Sequence, residues 1–253
     1  MQFGICAPVE ESAIAKAAGF DFIEPRVDQL IEGLLPDDQW KGLDRAAKSA
    51  LPIPSANVLF PAALKITGPD ANLDRLKSYM TTVLSRARKI GIKTLIFGSG
   101  AARKFPEGTT PAAARQQLLA FLKTIAPLLQ QNGVTLTMKP LIPAETNIGN
   151  STDEVASILR EVNHPSVRMV LDTYHFWLNN EPLESLANAM PLLSHLNVAD
   201  ADRKRPKNGD YRSFFAVLKK GGYKGPIAVE AIGMDIAGEG GETLAFLKSE
   251  WAG

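Results

Sequence analysis

Short apolar runs alternate with longer amphipathic stretches along the whole chain. Each short run is bounded by residues that favour turns, such as Gly, Pro, Asn or Asp, which is typical of a buried strand. Eight such runs occur, and each is followed by a stretch with helical character. They predict strands at residues 3–6, 21–24, 53–58, 93–97, 134–138, 167–171, 194–198 and 226–230.

Helix boundary signals lie between the predicted strands. Thr110 is placed to cap a helix that Asn132-Gly133 ends, and Gly91 ends the helix before it. Ser151 opens a further helix with the character of a capping box. The predicted helices cover residues 10–18, 36–49, 72–90, 110–131, a stretch that opens at 151–154, 183–190, 211–220 and 241–251.

Eight strand–helix units in succession predict an α/β fold with a parallel sheet. A chain of 253 residues has the usual size of a closed (β/α)8 TIM barrel. The main competitor is a doubly wound open sheet, which usually carries a glycine-rich phosphate turn after its first strand. The segment Cys6-Ala7-Pro8-Val9 is not such a turn. No linker divides the chain, so we expect a single barrel domain over residues 1–253.

The composition of the chain limits the cellular compartments and the classes of partner that we expect. Lys and Arg number 28 against 27 Asp and Glu, so the formal net charge of +1 offers no basic footprint for nucleic acid. The only cysteine, Cys6, cannot form an internal disulfide, which is typical of a reducing compartment. Neither a signal peptide nor a membrane-spanning run is visible. We therefore expect a cytoplasmic protein without a membrane or nucleic-acid partner, and its oligomeric state stays open.

In a TIM barrel the chemistry lies at the carboxyl ends of the strands. Polar side chains at or just after the predicted strands are therefore candidates for a common site. They are Glu24, Asn57, Ser99, Arg103, Lys139, Glu145, Asp172, His175, Asn197, Arg203 and Glu230.

Each candidate also has a purely structural interpretation. Glu230 could pair with a neighbouring lysine, and Asp172 could cap the helix after its strand. Lys139 could form a structural ion pair with Asp172 or Glu230, because a buried ammonium is costly unless it is paired. Arg203 could clamp a substrate oxygen or form a surface salt bridge. Glu145 could bind a substrate hydroxyl or be solvated.

Five segments of the chain together resemble one family. The segments are 97–103, 139–147, 171–175, 195–200 and 225–230. The chain resembles the xylose-isomerase-like barrel proteins, a superfamily of sugar isomerases and epimerases that includes ketose 3-epimerases, hydroxypyruvate isomerase and inosose dehydratase. The 97–103 segment, with Ser99 and Arg103, is part of this resemblance and is expected to cover the barrel mouth as a substrate-binding loop.

The resemblance implies a divalent metal, often manganese or magnesium, and two glutamates that move protons on either face of the substrate. Asp172 and Glu230 match metal-ligand positions, and Glu145, His175 and Arg203 match substrate-binding positions. Two metal-ligand positions differ from the family pattern. Lys139 stands where the family has a glutamate, and Asn197 stands where it has a histidine.

These departures preserve the charge of the site. Three carboxylates with a divalent ion, and two carboxylates with one ammonium, both carry a net charge of minus one. We therefore expect no metal, with the Lys139 ammonium in its place. Glu230 is predicted to be the base that removes a proton beside a carbonyl, and Lys139 and Asn197 are predicted to stabilise the enediolate.

The predicted function is an isomerase, epimerase or lyase that acts on a sugar or a hydroxy-keto acid without a metal. Lys139 occupies the place of the second family base, so a reaction with one base is easier to accommodate than epimerisation with two. Two alternatives stay open. The chain could be a barrel that binds a sugar or metabolite without catalysis, or an isomerase with an atypical manganese or magnesium site at Asp172 and Glu230.

Overall fold

The computed structural model describes residues 1–253 and places eight parallel strands around one axis. Each strand is a short, almost entirely buried run, as its apolar sequence requires. The strands are β1 (Phe3–Ile5), β2 (Phe22–Ile23), β3 (Ser55–Ala56), β4 (Thr94–Phe97), β5 (Thr135–Met138), β6 (Val167–Asp172), β7 (Leu193–Val198) and β8 (Ile227–Val229).

Helices connect the strands and form the outer layer. A short 3-10 helix at Val9–Glu11 precedes the first of them. The α-helices are α1 (Ser12–Ala17), α2 (Val27–Leu30), α3 (Gly42–Ala46), α4 (Leu73–Ile90), α5 (Gly100–Arg103), α6 (Pro111–Asn132), α7 (Thr152–Val162), α8 (Thr173–Leu178), α9 (Leu183–Ala189), α10 (Tyr211–Lys220) and α11 (Ile236–Ala252).

The sheet closes on itself almost completely. Its strand order is β2-β1-β8-β7-β6-β5-β4-β3, and every neighbouring pair is parallel. The seam between β2 and β3 is joined just beyond both strands, where Arg26 and Asn57 form a parallel bridge. Asn57 N–H donates to the Pro25 carbonyl at 2.9 Å, and Val27 N–H donates to the Asn57 carbonyl at 2.8 Å. The predicted (β/α)8 barrel is confirmed.

The residues predicted to begin and end the helices do so in the structure. Thr110 accepts a hydrogen bond from Ala113 N–H at 3.2 Å, and Ser151 accepts one from Glu154 N–H at 3.1 Å. Gly91 and Gly133 end α4 and α6 with φ angles of 96° and 63°, a region that glycine adopts without steric cost.

The region predicted as one helix over residues 36–49 is helical only in α3. The segment that precedes it is held by Arg86 of α4, whose side chain is buried. Arg86 donates to the carbonyls of Ile31, Glu32 and Leu35 and to the Asp37 carboxylate.

The last helix begins earlier than predicted, at Ile236 rather than at 241. Asp235 caps it by accepting a hydrogen bond from Ala237 N–H. Gly240 lies within this helix. A Cβ there would lie 2.8 Å from the Ala18 Cβ, so the glycine allows the helix to pack closely against Ala18. Three short helices, α2, α5 and α8, follow strands β2, β4 and β6 and were not predicted. No helix combines the length and the apolar character that a membrane crossing requires.

Candidate active site

Lys139 joins two carboxylates at the carboxyl ends of the central strands. Its ammonium Nζ donates to Asp172 Oδ2 at 2.9 Å and to Glu230 Oε2 at 2.7 Å. The side chains of Lys139 and Asp172 are almost fully buried, whereas 18% of the Glu230 side chain stays exposed. The sequence left open an ion pair of Lys139 with either carboxylate, and the structure contains both.

The barrel backbone fixes these three side chains. Lys139 N–H donates to the carbonyl of Phe97 at 3.0 Å, and Glu230 N–H donates to that of Val198 at 2.9 Å. Asp172 is the last residue of β6, and its Oδ1 accepts from Tyr174 N–H at 3.0 Å, which also caps α8. Asp172 can therefore be a site residue and a helix cap at once, because each role uses a different carboxylate oxygen.

Burial and ion pairing act against each other in this cluster. Burial disfavours the charge on Lys139, but Asp172 and Glu230 outweigh it and raise the lysine pKa above its ordinary value. Burial also disfavours the charge on Asp172, but Lys139 lowers its pKa overall. For Glu230, burial together with the charge of Asp172 outweighs Lys139 and raises the pKa. A carboxylate with raised proton affinity in a cavity is suited to proton transfer.

A second buried carboxylate, Glu24, forms the floor of the site. Its Oε2 accepts from Ser55 Oγ at 2.6 Å and lies 2.8 Å from His195 Nε2. Its Oε1 accepts from Asn197 Nδ2 at 3.1 Å and from the Cys6 thiol at 3.3 Å. Burial raises the Glu24 pKa, but His195 and the hydrogen-bond donors outweigh it and lower the pKa to about 2. Glu24 is therefore a fixed negative charge.

The rim of the site contains a third carboxylate and an arginine. Arg203 Nη1 donates to Glu145 Oε1 at 2.9 Å, and Arg203 Nη2 lies 3.8 Å from Glu230 Oε1. The guanidinium also lies over the Tyr174 ring, 4.8 Å from its centroid. Arg203 thus connects Glu145 to Glu230. It forms salt bridges, as one of the two interpretations expected, and it does so at the mouth of the barrel.

His175 is a neutral hydrogen-bond donor at this rim. Ile142 N–H donates to its Nδ1 at 3.3 Å, which leaves the proton on Nε2. Burial lowers the His175 pKa to about 4, and Lys139 and Arg203 add to this against the opposing charge of Asp172. Nε2 has no hydrogen-bond partner and lies 4.0 Å from Glu145 Oε2. This N–H is available to a substrate oxygen.

The cavity consists of two adjoining lobes, each of about 400 Å³. Arg26, Asn57, Val58, Arg203 and Glu230 line both lobes. Cys6 and Glu24 line the first lobe, and the second is lined by Ser99, Lys139, Glu145 and His175.

Three residues that line the cavity have strained backbones. Val58, Ser99 and Arg203 have φ angles of 52°, 44° and 61°, which residues with a Cβ rarely adopt. Val58 is the most unusual because its side chain is β-branched. Such strain concentrates at functional sites, where the surrounding structure must hold it in place.

The predicted site residues fall into two groups. Glu230, Lys139, Glu145, His175, Arg203 and Ser99 line the cavity. Asp172, Arg103 and Asn197 are buried and do not line it. Arg103 Nη2 donates to the Lys139 carbonyl at 3.0 Å, and Asn197 holds Glu24, so any contribution of either to substrate binding is indirect. Ser99 Oγ accepts from Phe60 N–H at 2.9 Å.

Two residues at the heart of the site, Glu24 and Asn57, were candidates only because they follow strands. Asn57 Oδ1 is buried and has no partner, so it is free to accept from a ligand hydroxyl. Cys6, Arg26 and Gln29 also line the cavity, and they were not among the candidates at the strand ends. The sequence feature that could have identified them is their position after β1 and β2.

Cys6, Glu24 and Glu230 form the one group of three metal-type donors within reach of one another, all within 4.8 Å. Burial and the two carboxylates raise the pKa of the Cys6 thiol, so it stays protonated and donates to Glu24. Both oxygens of Glu24 already accept hydrogen bonds. This group is therefore poorly prepared to bind a cation.

The fold and this polar cluster define a barrel with an enzyme-type site at the carboxyl ends of its strands. The sequence model described as "Xylose isomerase-like TIM barrel" matches residues 12–250. The chain belongs to that family.

Relatives with known names agree with this assignment. An L-ribulose 3-epimerase of Methylomonas sp. (strain DH-1) is 26% identical over 227 residues, which cover 88% of this chain and 77% of that protein. The predicted class of enzyme, an isomerase or epimerase of this superfamily, is confirmed by such matches.

Solved structures share the fold over the full length. A D-allulose 3-epimerase from Methylomonas sp. superimposes with a TM-score of 0.83 and 24% identity, covering 99% of this chain and 98% of that one. A 3-keto-D-glucoside 4-epimerase from E. coli gives a TM-score of 0.80 and 20% identity, covering 98% and 99%. These two proteins are named for reactions at different carbons, so the barrel alone does not fix the carbon that reacts.

Proposed function

We propose that the chain is a sugar isomerase or epimerase in which Glu230 removes a proton beside a carbonyl and the Lys139 ammonium takes the place of a metal ion. The observation that supports this most directly is the position of Lys139 Nζ, 2.9 Å from Asp172 and 2.7 Å from Glu230. These are the two positions at which the family resemblance implies metal ligands.

The residues at this site do not fit a divalent ion. A metal bound to Asp172 and Glu230 would have to displace the ammonium or lie beside it, and the second arrangement places two cations in one buried site. Asn197, at the third position, uses its Nδ2 to hold Glu24. We therefore assign no step to a metal.

The charges of the cavity favour an uncharged substrate over a hydroxy-keto acid. Arg26 is held by Asp28 at 2.7 Å, Arg203 by Glu145 at 2.9 Å, and Lys139 by two carboxylates. Each cation that lines the cavity is already paired with a carboxylate, so the carboxylate or phosphate of a charged substrate would have to compete for it. Free hydrogen-bonding groups, such as Asn57 Oδ1 and His175 Nε2, instead match the hydroxyl groups of a sugar.

Each residue has a role in the proposed reaction. Glu230 Oε1 is not bonded to Lys139 and lies next to the open cavity, so it can take the proton. Negative charge then develops on the carbonyl oxygen, where an ammonium in a dry site stabilises it strongly. His175 Nε2–H donates to a second substrate oxygen. Arg203 and Glu145 bind hydroxyls at the rim.

The test is turnover of metal-free protein. Chelator-treated protein is incubated with D-ketopentoses, D-ketohexoses and, as an anionic comparison, hydroxypyruvate, and products are followed by NMR. We expect conversion of a neutral sugar, no stimulation by Mn²⁺ or Mg²⁺, and loss of turnover in Glu230→Gln. A strict requirement for added metal would contradict the role of Lys139. Thermal stabilisation by a ketose without any product would indicate a binding barrel instead.

A further inference from the structure

The geometry around Glu230 limits how a proton can be moved. Inversion of a carbon centre requires one group to remove the proton and another to deliver a proton to the opposite face. Each group must approach the carbon to about 3–3.5 Å, so the two heavy atoms must lie about 6–7 Å apart. The second group must also have a free atom directed into the cavity.

The nearest groups are too close to Glu230 to face it across a carbon. Lys139 Nζ lies 2.7 Å from Glu230 Oε2, so both contact a substrate from the same side. The Cys6 thiol is within 4.8 Å of a Glu230 oxygen, and it donates to Glu24. Neither pair leaves space for a carbon atom between its members.

The other buried carboxylates have no free oxygen. Asp172 accepts from Lys139 with Oδ2 and from Tyr174 N–H with Oδ1. Glu24 is fully buried, and both of its oxygens are engaged, Oε1 by Asn197 and Cys6 and Oε2 by Ser55 and His195.

At the rim, His175 and Glu145 remain. His175 accepts from Ile142 N–H through Nδ1, so its neutral Nε2–H can donate a hydrogen bond but has no site to take a proton from carbon. Glu145 accepts from Arg203 Nη1 through Oε1 at 2.9 Å, and its Oε2 lies 4.0 Å from His175 Nε2. Arg203 Nη2 lies 3.8 Å from Glu230 Oε1, so one guanidinium contacts both carboxylates. Glu145 is thus placed to bind a hydroxyl.

We propose that this chain moves hydrogen between two adjacent carbons of a sugar on a single face, an aldose–ketose isomerisation with Glu230 as the only base, and does not invert a carbon centre. The inference rests on the proposed function and specifies its reaction. It separates this chain from relatives that are named epimerases.

The reaction balances with these groups alone. Glu230 takes the proton from the carbon that bears a hydroxyl beside the carbonyl, and the C–H electron pair forms the double bond of an enediolate. The former carbonyl oxygen becomes negative beside Lys139 and receives the hydroxyl proton of the neighbouring carbon. Glu230 then returns its proton to the former carbonyl carbon as a new carbonyl forms. No oxidant, reductant or co-reactant is needed.

The experiment follows product and label together. Chelator-treated protein is incubated in D₂O with each of fructose, allulose, sorbose and tagatose in the D-series, and with the corresponding aldohexoses, and the products are identified by NMR. We expect aldose and ketose to interconvert, with part of the product carrying hydrogen transferred without exchange, because one base carries it between carbons. We expect no C3 or C4 epimer.

The outcomes distinguish the inference from the proposed function. A ketose epimerised at C3 or C4 and deuterated there would overturn single-face transfer and leave a sugar epimerase. Absence of product and of deuterium incorporation in all these sugars would overturn the proposed function and the inference with it.

Two variants identify the groups responsible. Glu230→Gln should lower isomerisation and exchange by about 10²–10⁴-fold. Glu145→Gln should raise KM more than it lowers kcat and should leave the product unchanged. If wild-type protein gives an epimer that Glu145→Gln does not form, Glu145 is the opposite-face base and the inference is wrong.

Discussion

The Glu24 carboxylate and the His195 imidazole lie 2.8 Å apart at the floor of the barrel, and neither side chain is accessible to solvent. Glu24 follows β2 and His195 lies in β7, so their contact connects strands from opposite parts of the chain. Hydrogen bonds from Ser55, Asn197 and Cys6 complete the shell around the carboxylate. A buried charge with this many partners is a fixed part of the fold. It lies beneath the reactive groups of the site.

Glu24→Gln is expected to destabilise the protein strongly. The substitution turns one accepting oxygen into a donor that faces other donors, and a buried polar group left without its partner costs about 1–3 kcal/mol, more for a charged group. Urea unfolding of both proteins measures the loss. Asp28→Asn is the matched control, because its pair with Arg26 is exposed and should contribute less than about 1 kcal/mol. Equal losses in both variants would contradict the structural role of Glu24.

His175 makes stability depend on pH between about 4 and 6.5. Burial lowers its pKa to about 4 in the folded protein, whereas an unfolded histidine keeps its ordinary value near 6.5. Between these values the unfolded chain binds the additional proton, so stability rises with pH, is complete above about 6.5 and is lost as the pH falls. From pH 6.5 down to 4 the free energy of unfolding should fall by roughly 3 kcal/mol on account of this group. His175→Asn should flatten this part of the curve of unfolding free energy against pH. An unchanged slope would show that the histidine is not buried in its neutral form.

The alternation of strands and helices was enough to predict the barrel, because strand burial and helix capping are local properties. The same rule about strand ends identified Lys139, Asp172 and Glu230, which the structure brings within hydrogen-bonding distance. Asn197 was expected near the substrate, but the pleat of β7 turns it towards Glu24. The spacing of residues in the sequence predicts where a strand ends, but it does not predict the direction in which each side chain points.

Contacts between distant segments were beyond prediction. The path of residues 31–37 depends on Arg86, which lies on a different helix and satisfies their backbone. The left-handed backbone of Val58 has no local sequence signal, because valine is among the residues least suited to it.

Lys139→Met should lose most of its activity and part of its stability, because two buried carboxylates lose their cation. The methionine keeps most of the apolar stem but removes the ammonium that stabilises the developing oxyanion, and loss of one such donor costs about 10²–10³-fold in kcat. Lys139→Arg keeps the charge and serves as the comparison. Steady-state kinetics on the sugar identified by NMR measure both variants, and circular dichroism checks their folding. Activity of Lys139→Met within tenfold of wild type would contradict the proposed role of the ammonium.

Lys139→Glu tests whether the lysine excludes a metal. The substitution removes the cation between Asp172 and Glu230 and supplies a third carboxylate at the same position. Hard divalent ions such as Mn²⁺ favour oxygen ligands of this kind. Combined with Asn197→His, the variant offers three carboxylates and an imidazole. Without metal it should be less stable than wild type, because three carboxylates repel one another in a buried site.

Mn²⁺ should restore that stability. A ligand that binds only the folded state at a hundredfold excess over its Kd stabilises by about 2.7 kcal/mol, which thermal unfolding resolves readily. Wild-type protein should show no shift at the same Mn²⁺ concentration, because its ammonium already occupies the position between the two carboxylates. Asn197→His alone keeps Lys139 and controls for the added imidazole. If wild type is stabilised as much as the double variant, a metal binds beside Lys139 and the ammonium does not replace it.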